Sequence, residues 1–433
     1  MKQIFKNIVV YILTQEAKIL IKRKKPMIIA ITGSVGKTSA KDAIYAVLKD
    51  HVHARKSQKS YNSEIGVPLS ILGLKNGWNN PLLWIKNIFD GALTAFFDSE
   101  YPKVLVLEVG VDRPGDMKAL TQWMSPDIVV LTRLPDVPAH VEYFNSPEDV
   151  IDEKMHLVHA LKEDGILIYN NDDEIIRREL ENVRQQSFGF SRYSPSHFTA
   201  SGDTVLYKNQ KAVGVECTLT HIGEEVSFQV YGSLGVQHAY NYAAAIAVGT
   251  QFDISLADAA KALASNVPPA GRMRIVEGLK DTLILDDTYN SSPVAAEQAL
   301  QTVKELAGVG KKIVVLGDML ELGKYSVREH ERIGEHVAES ADILLTLGMR
   351  ARKIASSALE HGMSEKVIFQ YDDIDRAGHE LLQMIEPNDV VLVKASQSIR
   401  AEKIVERLMA HPEQARDILC RQDSVWQSIA VTK

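Results

Sequence analysis

The sequence predicts an α/β protein with two doubly wound units and a small antiparallel subsheet. Two observations support this fold class. Short apolar runs alternate with helix-like segments on both sides of residue 270, which is typical of parallel sheets covered on both faces. Between residues 195 and 233 the pattern changes to short alternating runs separated by polar turns, which indicates antiparallel pairing.

The elements of the first unit follow from these patterns in chain order. The apolar runs predict strands at 27–32, 104–108, 128–131 and 166–170, with a helix over about 37–48. The alternating runs that predict the antiparallel subsheet are 204–207, 213–219 and 226–231, and an Ala-rich helix is predicted at 239–250.

The second unit begins after a break in the pattern. Residues 266–271 read Asn-Val-Pro-Pro-Ala-Gly, a run of turn-forming residues that favours a domain boundary. Beyond it, the apolar runs predict strands at 282–287, 312–317, 342–347, 367–371 and 389–395, with helices between them. This regular alternation indicates a Rossmann-like α/β domain. The predicted divisions are an N-terminal helix at 1–25, a central domain at 26–268 and a C-terminal domain at 269–433.

Composition and charge exclude several classes of protein. The chain has 433 residues, of which 45% are hydrophobic and 24% charged, and its net charge of −7 gives no indication of a nucleic-acid partner. Cys217 and Cys420 are far apart and lack metal-ligand spacing, so a disulfide framework is excluded and a reducing cytoplasm is the expected setting. No apolar stretch reaches the roughly 18 residues that a spanning helix needs.

Two segments of the first unit have unusual apolar patterns. Residues 1–25 combine isoleucines with a high density of lysine and arginine, and residues 78–97 form an apolar run rich in Trp, Leu and Phe. Both are predicted to be helices, and two interpretations stay open for them. They pack on the first domain, or they form a basic, apolar surface that contacts the inner face of a membrane peripherally.

One motif is typical of a phosphate-binding loop. Thr32-Gly33-Ser34-Val35-Gly36-Lys37-Thr38-Ser39 joins a predicted strand to a predicted helix. Glycines allow the backbone to approach phosphate oxygens, and the free N–H groups at the start of the helix face the anion. Lys37 would bridge the β- and γ-phosphates and the Thr38 hydroxyl would bind Mg²⁺. The motif therefore predicts that residues 33–39 bind ATP and that the central domain is a P-loop-type ATPase domain.

This short Thr-Gly-x-x-Gly-Lys-Thr form resembles the nucleotide loop of the Mur ligases. Nine further blocks resemble segments of that family in the same order, and together with the loop they extend over about 370 residues, which makes chance similarity implausible. The blocks lie at 61–69, 108–116, 139–146, 170–173, 240–241, 271–274, 286–293, 316–323 and 392–398.

The resemblance implies an ATP-dependent ligase that joins a carboxylate to an amine. In that reaction the acid attacks the γ-phosphate of ATP to give an acyl phosphate and ADP, and the amine then displaces phosphate. Because phosphoryl transfer depends on positioning and on neutralising charge, two Mg²⁺ ions are expected. The ATP site is expected to form between the two domains, with closure as a catalytic step.

The resemblance also implies roles for individual residues. The expected catalytic residues are Lys37, Glu108, His140 and Lys154, and the expected metal ligands are Thr38, Glu108, His140 and Lys154. Lys154 would carry CO₂ as a carbamate, which requires a lowered pKa; the plainer alternative is a surface lysine paired with Asp152 or Glu153. Further ATP contacts are implied for Asn241, Arg272, Asp287 and Asn290, and substrate contacts for Asn62, Lys394 and Ser396.

The acid substrate stays open between alternatives. The members with matching blocks carry an N-terminal domain for the UDP part of the substrate, whereas here the nucleotide loop begins at residue 32. The first hypothesis is a ligase that adds D-alanyl-D-alanine to a UDP-muramoyl tripeptide for peptidoglycan synthesis. The second is a ligase of the same mechanism acting on another acid, and the third is a non-catalytic ATP-binding scaffold. The expected partners are small-molecule substrates, and the chain is expected to be a monomer.

Overall fold

The computed structural model describes residues 2–58, 61–181, 183–423 and 426–427. The chain divides into two compact units. Unit 1 comprises Met1–Ser201, Thr218–Val226 and Tyr240–Asn266, and unit 2 comprises Gly202–Cys217, Ser227–Ala239 and Val267–Lys433. Within the described residues, no helix is both long enough and apolar enough to cross a bilayer.

Unit 1 contains a parallel sheet with helices connecting its strands. In chain order the elements are α1 (Lys2–Lys24), β1 (Met27–Thr32), α2 (Lys37–Leu48), β2 (Ala54–Lys56), α3 (Gly66–Leu72), α4 (Pro81–Phe97), β3 (Val104–Glu108), α5 (Asp116–Thr121), β4 (Ile128–Leu131), α6 (Pro147–His159), β5 (Ile166–Asn170), α7 (Glu174–Glu179) and β6 (Gln186–Ser191). The strand order is β2-β3-β1-β4-β5-β6, and each neighbouring pair is parallel.

Three longer strands continue this sheet. They are β7 (Phe198–Lys208), β8 (Lys211–His221) and β9 (Glu224–Tyr231), followed by α8 (Gln237–Thr250) and α9 (Leu256–Ala264). Two residues connect β7 to β8 and two connect β8 to β9, and connections this short join only antiparallel strands. The predicted antiparallel subsheet is therefore confirmed, as part of the larger sheet.

Unit 2 contains a second sheet. Its elements are β10 (Arg274–Glu277), β11 (Leu283–Asp287), α10 (Pro293–Glu305), β12 (Lys312–Gly317), α11 (Ser326–Ser340), β13 (Ile343–Leu347), α12 (Arg352–Glu360), β14 (Ile368–Tyr371), α13 (Ile374–Met384), β15 (Val390–Lys394), α14 (Glu402–Leu408) and α15 (Ala415–Ile418). The strand order is β10-β11-β15-β12-β13-β14, and only the β10–β11 pair is antiparallel among these neighbours in the described chain. The α/β class predicted for both units is confirmed.

The central strands are apolar because the sheets are covered on both faces. All five residues of β3 and all five of β15 are buried. In unit 1 the register places the carboxyl ends of β3, β1 and β4 side by side, with Ile31 opposite Glu108 and Thr32 opposite Leu131. Parallel α/β sheets bind ligands at this edge, so the sheet topology alone positions the end of β3 beside the nucleotide loop.

The helix α1 packs against α3 and α4 in unit 1. Its buried apolar side chains, Val9, Leu13, Ala17 and Leu20, recur every three or four residues and join the core of the unit. This arrangement agrees with the interpretation in which residues 1–25 form a helix that packs on the first domain. The other side of the helix remains exposed, so the membrane interpretation stays open.

Candidate nucleotide and metal site

The nucleotide loop leaves β1 at Thr32 and enters α2 at Lys37. Its backbone requires glycine, because Gly33 has φ 138° and Gly36 has φ 88°. A Cβ atom at Gly33 would lie 2.1 Å from Thr132 Oγ1. In the described part of the chain no side chain caps the start of α2. The first turn therefore retains backbone N–H groups for an anion.

The end of β4 holds this loop in place. Thr132 Oγ1 lies 2.7 Å from the carbonyl oxygen of Val35 and 3.1 Å from that of Thr32, and the Ser34 N–H donates to the Arg133 carbonyl at 2.7 Å. Thr132 was not among the residues predicted from the sequence. The feature that could have identified Thr132 is its position directly after a predicted strand, at the sheet edge where ligands bind.

A buried polar cluster lies at the end of β3. The Thr38 hydroxyl donates to Glu108 Oε1 at 3.2 Å, and Asn62 Nδ2 donates to the same oxygen at 3.5 Å. Lys41 Nζ lies 3.6 Å from Glu108 Oε2, an ion pair that the sequence analysis missed. Oε2 itself is buried and has no hydrogen-bond partner among the described residues. The structure thus brings together three predicted residues, Thr38, Asn62 and Glu108.

Two lysines of the predicted site lie close enough to influence each other. Lys37 Nζ donates to the Gly33 carbonyl at 2.8 Å, within the loop. Lys154, on α6, is buried, and burial together with the charge of Lys37 lowers the pKa of Lys154 to about 7. The neighbouring Glu153 accepts hydrogen bonds from the backbone N–H groups of Gly115, Met117 and Lys118 at the start of α5. The Glu153 carboxylate thus caps that helix, and Lys154 is not a surface lysine.

His140 has a left-handed backbone, with φ 70°, and immediately precedes a 3₁₀ turn at Val141–Tyr143. Its Nε2 atom lies 3.8 Å from Asp112 Oδ1. The charge of Asp112 also acts on Lys154, where it favours the protonated amine. Asp112 therefore interacts with two predicted residues that lie in later segments of the chain. It lies inside the 108–116 block, but nothing in its spacing distinguished it from Asp116.

Asn241 on α8 is buried beside the loop. An added Cβ on Gly36 would lie 3.1 Å from Asn241 Oδ1, and Asn241 Nδ2 has no hydrogen-bond partner among the described residues. A buried amide without a protein partner is costly unless a ligand or water satisfies it. Its position fits the predicted contact with ATP.

The remaining predicted residues lie in unit 2. Lys394 Nζ donates to Asp287 Oδ2 at 2.7 Å and to the Asn290 carbonyl at 2.9 Å, so the ends of β11 and β15 are joined by a buried ion pair. The Arg272 guanidinium lies over the Tyr289 ring at 4.2 Å. Ser396 Oγ accepts from the Leu320 N–H at 2.9 Å, which connects it to the 316–323 block.

The donors in unit 1 fit a hard cation and nucleotide phosphates. Mg²⁺ takes oxygen ligands and usually retains water and phosphate oxygens, so it needs only one or two protein carboxylates. Glu108 Oε2 is a buried oxygen of this kind, and the Thr38 hydroxyl lies beside the same carboxylate. Among the described residues there is no group of three His, Cys, Asp or Glu side chains that could hold a metal ion alone. The carboxylate and hydroxyl oxygens of the site therefore suit a cation that also binds phosphate oxygens.

A glycine loop between a buried parallel strand and a helix, with a Thr–Glu pair at the next strand end, defines a P-loop-type nucleotide-binding protein. Comparison of the chain with known protein families identifies a narrower class. Residues 31–249 match the Mur ligase middle domain, and residues 271–397 match the Mur ligase, glutamate ligase domain. The chain belongs to the Mur ligase family.

Similar proteins include UDP-N-acetylmuramoyl-tripeptide–D-alanyl-D-alanine ligases. The enzyme of that name from Bacillus subtilis is 29% identical over 92% of this chain and 79% of its own length. The one from Mycobacterium leprae is 28% identical over 86% of this chain and 71% of its own length. The crystal structure of MurF ligase from Thermotoga maritima in complex with ADP is 26% identical and has a TM-score of 0.76, covering 94% of this chain and 84% of that one.

Proposed function

We propose that this ligase is ATP-dependent and ADP-forming, and that it adds D-alanyl-D-alanine to a UDP-N-acetylmuramoyl tripeptide in peptidoglycan precursor synthesis. The substrates are those that the names of its relatives describe. The observation that carries the ATP-dependent chemistry is the hydrogen bond from Thr38 to Glu108, because it joins the nucleotide loop to a buried carboxylate at the edge where ligands bind.

The first step is transfer of the γ-phosphoryl group. The substrate carboxylate attacks the γ-phosphorus, the bond from that phosphorus to the bridging oxygen breaks, and ADP leaves, which yields an acyl phosphate. The loop backbone and the start of α2 hold the phosphates, and Lys37 exchanges its bond to the Gly33 carbonyl for the β- and γ-phosphate oxygens. In the second step the amine attacks the acyl carbon, phosphate leaves and the amine loses a proton.

Magnesium supplies charge neutralisation on the phosphate oxygens when it is bound. Thr38 and Glu108 would hold one ion, and His140 and a carbamylated Lys154 would hold a second. Carbamylation adds CO₂ to the neutral amine of Lys154 and releases one proton, so it replaces a cation by an anionic oxygen donor. The lowered pKa of Lys154 supports this role, since it increases the neutral fraction at pH 7.

Further residues are proposed as contacts for substrate and nucleotide. Asn62 donates to Glu108, and it is proposed to contact the acid substrate. Asn241 is proposed to donate its unsatisfied amide to the nucleotide. In unit 2, Asp287, Asn290 and Arg272 are proposed to contact ATP, and Lys394 and Ser396 the incoming amine. The ion pair of Lys394 with Asp287 gives Lys394 a positioning role as well.

The test is ADP release by the purified chain with a panel of acids and amines. ADP that forms only when a UDP-muramoyl tripeptide and D-alanyl-D-alanine are both present supports the proposal. ADP with a different acid supports a ligase of the same mechanism with another substrate. Nucleotide binding without ADP release for any pair contradicts the catalytic proposal and supports a scaffold.

Substitution of Lys37 tests the phosphate contact directly. We expect Lys37→Ala to lower kcat by at least about a thousandfold, as expected for loss of a charge-stabilising group in phosphoryl transfer. Lys49→Ala is the matched control, because Lys49 is exposed just beyond the other end of α2. The assay is steady-state ADP release with both proteins at saturating ATP. Equal rates for the two variants would contradict the role of Lys37.

A further inference from the structure

The helix α4 has an apolar stripe on its exposed side. Leu82, Ile85, Phe89, Leu93 and Phe96 are all exposed and follow one another at three- or four-residue spacing, which places them on one face. Leu82 is 75% exposed, and Phe97 at the end of the helix is 78% exposed. The opposite face carries the buried residues Trp84, Asn87, Gly91 and Ala95. The core of unit 1 is thus already packed without the stripe.

The helix α1 lies beside this stripe and adds positive charge. The Arg23 guanidinium lies 5.1 Å from the centre of the Phe96 ring, and its Nη2 atom lies 3.4 Å from the Phe96 carbonyl oxygen. Residues 1–25 contain seven lysines and arginines and one acid, Glu16, which is buried. Lys22, Arg23 and Lys25 at the end of the helix are exposed. Ile8, Tyr11 and Ile19 extend the exposed apolar area along α1.

This positive charge is local. The whole chain has a net charge of −7, whereas residues 1–25 carry an excess of positive charge. On α4 the two charged side chains, Lys86 and Asp90, pair with each other. Lys6 pairs with Glu64, and two acids, Asp98 and Glu100, follow the end of α4. The basic end of α1 therefore lies beside the uncharged apolar stripe of α4.

We propose that α1 and the exposed stripe of α4, here called the α1–α4 surface, dock on an anionic lipid bilayer. The stripe would enter the boundary between headgroups and acyl chains, and Lys22, Arg23 and Lys25 would meet lipid phosphates. Interfacial helices that bind anionic membranes combine these two features, an apolar face and flanking basic residues. The inference uses none of the residues proposed for catalysis and does not depend on the proposed function.

The positive charge of the α1–α4 surface favours an anionic bilayer over a second copy of the chain as its partner. An isologous contact through this surface would place two surfaces that both carry excess positive charge against each other, and like charges in an interface are unfavourable. An anionic bilayer would neutralise the basic residues of α1 and would also bury the apolar stripe.

The experiment is co-sedimentation of the full chain with vesicles. One set is phosphatidylcholine alone and the other contains an equal part of phosphatidylglycerol. We expect binding to the anionic vesicles that weakens as salt is raised. Deletion of residues 1–25 is a poor variant, because it removes Val9, Leu13, Ala17 and Leu20 from the core. Point substitutions of exposed side chains avoid this problem.

Two double variants separate the two features. Ile85→Ser with Phe89→Ser removes the middle of the stripe, and Lys22→Glu with Lys25→Glu reverses charge at the end of α1. Each is expected to raise the lipid concentration for half-maximal binding by about tenfold or more. Ile222→Ser is the matched control, because Ile222 is exposed in the turn between β8 and β9.

Three results would overturn the proposal. The first is a wild-type chain that stays in the supernatant with anionic vesicles at low salt. The second is binding that neither double variant weakens relative to Ile222→Ser. The third is a wild-type dimer in size-exclusion chromatography that the stripe variant converts to a monomer, which would assign the surface to a second copy. Thermal melts of all variants serve to confirm that they are folded.

Discussion

Lys154 is a single residue whose chemistry depends on its surroundings. An ordinary lysine, with a pKa near 10.5, is neutral in only about one molecule in three thousand at pH 7. Burial and the nearby charge of Lys37 bring the pKa of Lys154 to about 7, so about half of the amine is neutral at that pH. Asp112 and Glu153 act in the opposite direction and limit the shift. A substantial fraction of the Lys154 amine is therefore neutral near pH 7, as the proposed carbamylation requires.

The carbamate can be tested at this residue. We expect Lys154→Ala to lower ADP release by about a hundredfold or more, because an anionic metal ligand is lost. Added acetate should restore part of the activity in this variant, since it can occupy the position of the carbamate. Wild-type activity should fall as pH decreases below about 7, where Lys154 becomes protonated. Lys162→Ala is the control, as Lys162 is an exposed lysine shortly after α6. Full activity in Lys154→Ala would contradict the assignment.

The sequence could predict site residues that lie in the motif or at strand ends, but not their partners. Thr38 and Glu108 were predicted, and they are hydrogen-bonded. Lys41, Thr132 and Asp112 were not predicted, because their roles depend on contacts between segments distant in sequence. Thr132 and Val35 are 97 residues apart, for example, and only the adjacency of β1 and β4 brings them together.

At the scale of elements, the contact of α1 with α4 contains a buried carboxylate. Glu16 Oε2 has no hydrogen-bond partner among the described residues, and an added Cβ on Gly91 would lie 2.2 Å from it. Burial raises the pKa of Glu16 to about 7. Between pH 4.5 and 7 the folded chain therefore keeps a proton that the unfolded chain has lost. The free energy of unfolding consequently falls as pH rises through this range.

Replacement of Glu16 tests this packing. We expect Glu16→Gln to raise the free energy of unfolding at pH 8 by about 1–3 kcal/mol, the desolvation cost of an unpaired buried group. At pH 4.5 the wild-type carboxyl is protonated, and the difference should nearly vanish. The measurement is urea unfolding at both pH values. Glu64→Gln is the control, because the Glu64 carboxylate is exposed. A gain of the same size at both pH values would show that ionisation of Glu16 is not responsible.

Elements with a strong apolar pattern were predictable, and short polar ones were not. The predicted strands at 27–32, 104–108, 128–131 and 166–170 have the bounds that the structure shows, since most of their residues are buried by helices on both faces. β2, β6 and β10 were missed. β2 is Ala-Arg-Lys at a sheet edge, and β10 begins with Arg274 and ends with Glu277 at the edge of the other sheet. Edge strands of this kind carry little periodic signal.

At the scale of the whole molecule, each unit has a hydrophobic core of its own. The core of unit 1 includes residues of α1, β1, β3 and β4, and that of unit 2 includes residues of β11, β12 and β15. A chain with two cores need not unfold in one transition. A single melting temperature is therefore a poor measure of ligand binding, and protection of named segments is a better one.

Nucleotide binding should stabilise the folded chain through unit 1. A ligand that binds only the folded state, at a free concentration a hundred times its Kd, stabilises it by about 2.7 kcal/mol. We expect ATP with Mg²⁺ to slow hydrogen exchange in β1 and β3, because the loop and Glu108 lie at the ends of these strands. The measurement is exchange of peptides covering 27–32 and 104–108, in wild type, Lys37→Ala and Lys49→Ala. Protection should persist in Lys49→Ala and decrease strongly in Lys37→Ala. If saturating nucleotide leaves these peptides unchanged in the wild type, the loop is not the phosphate site, and the ligase mechanism proposed for this chain loses its first step.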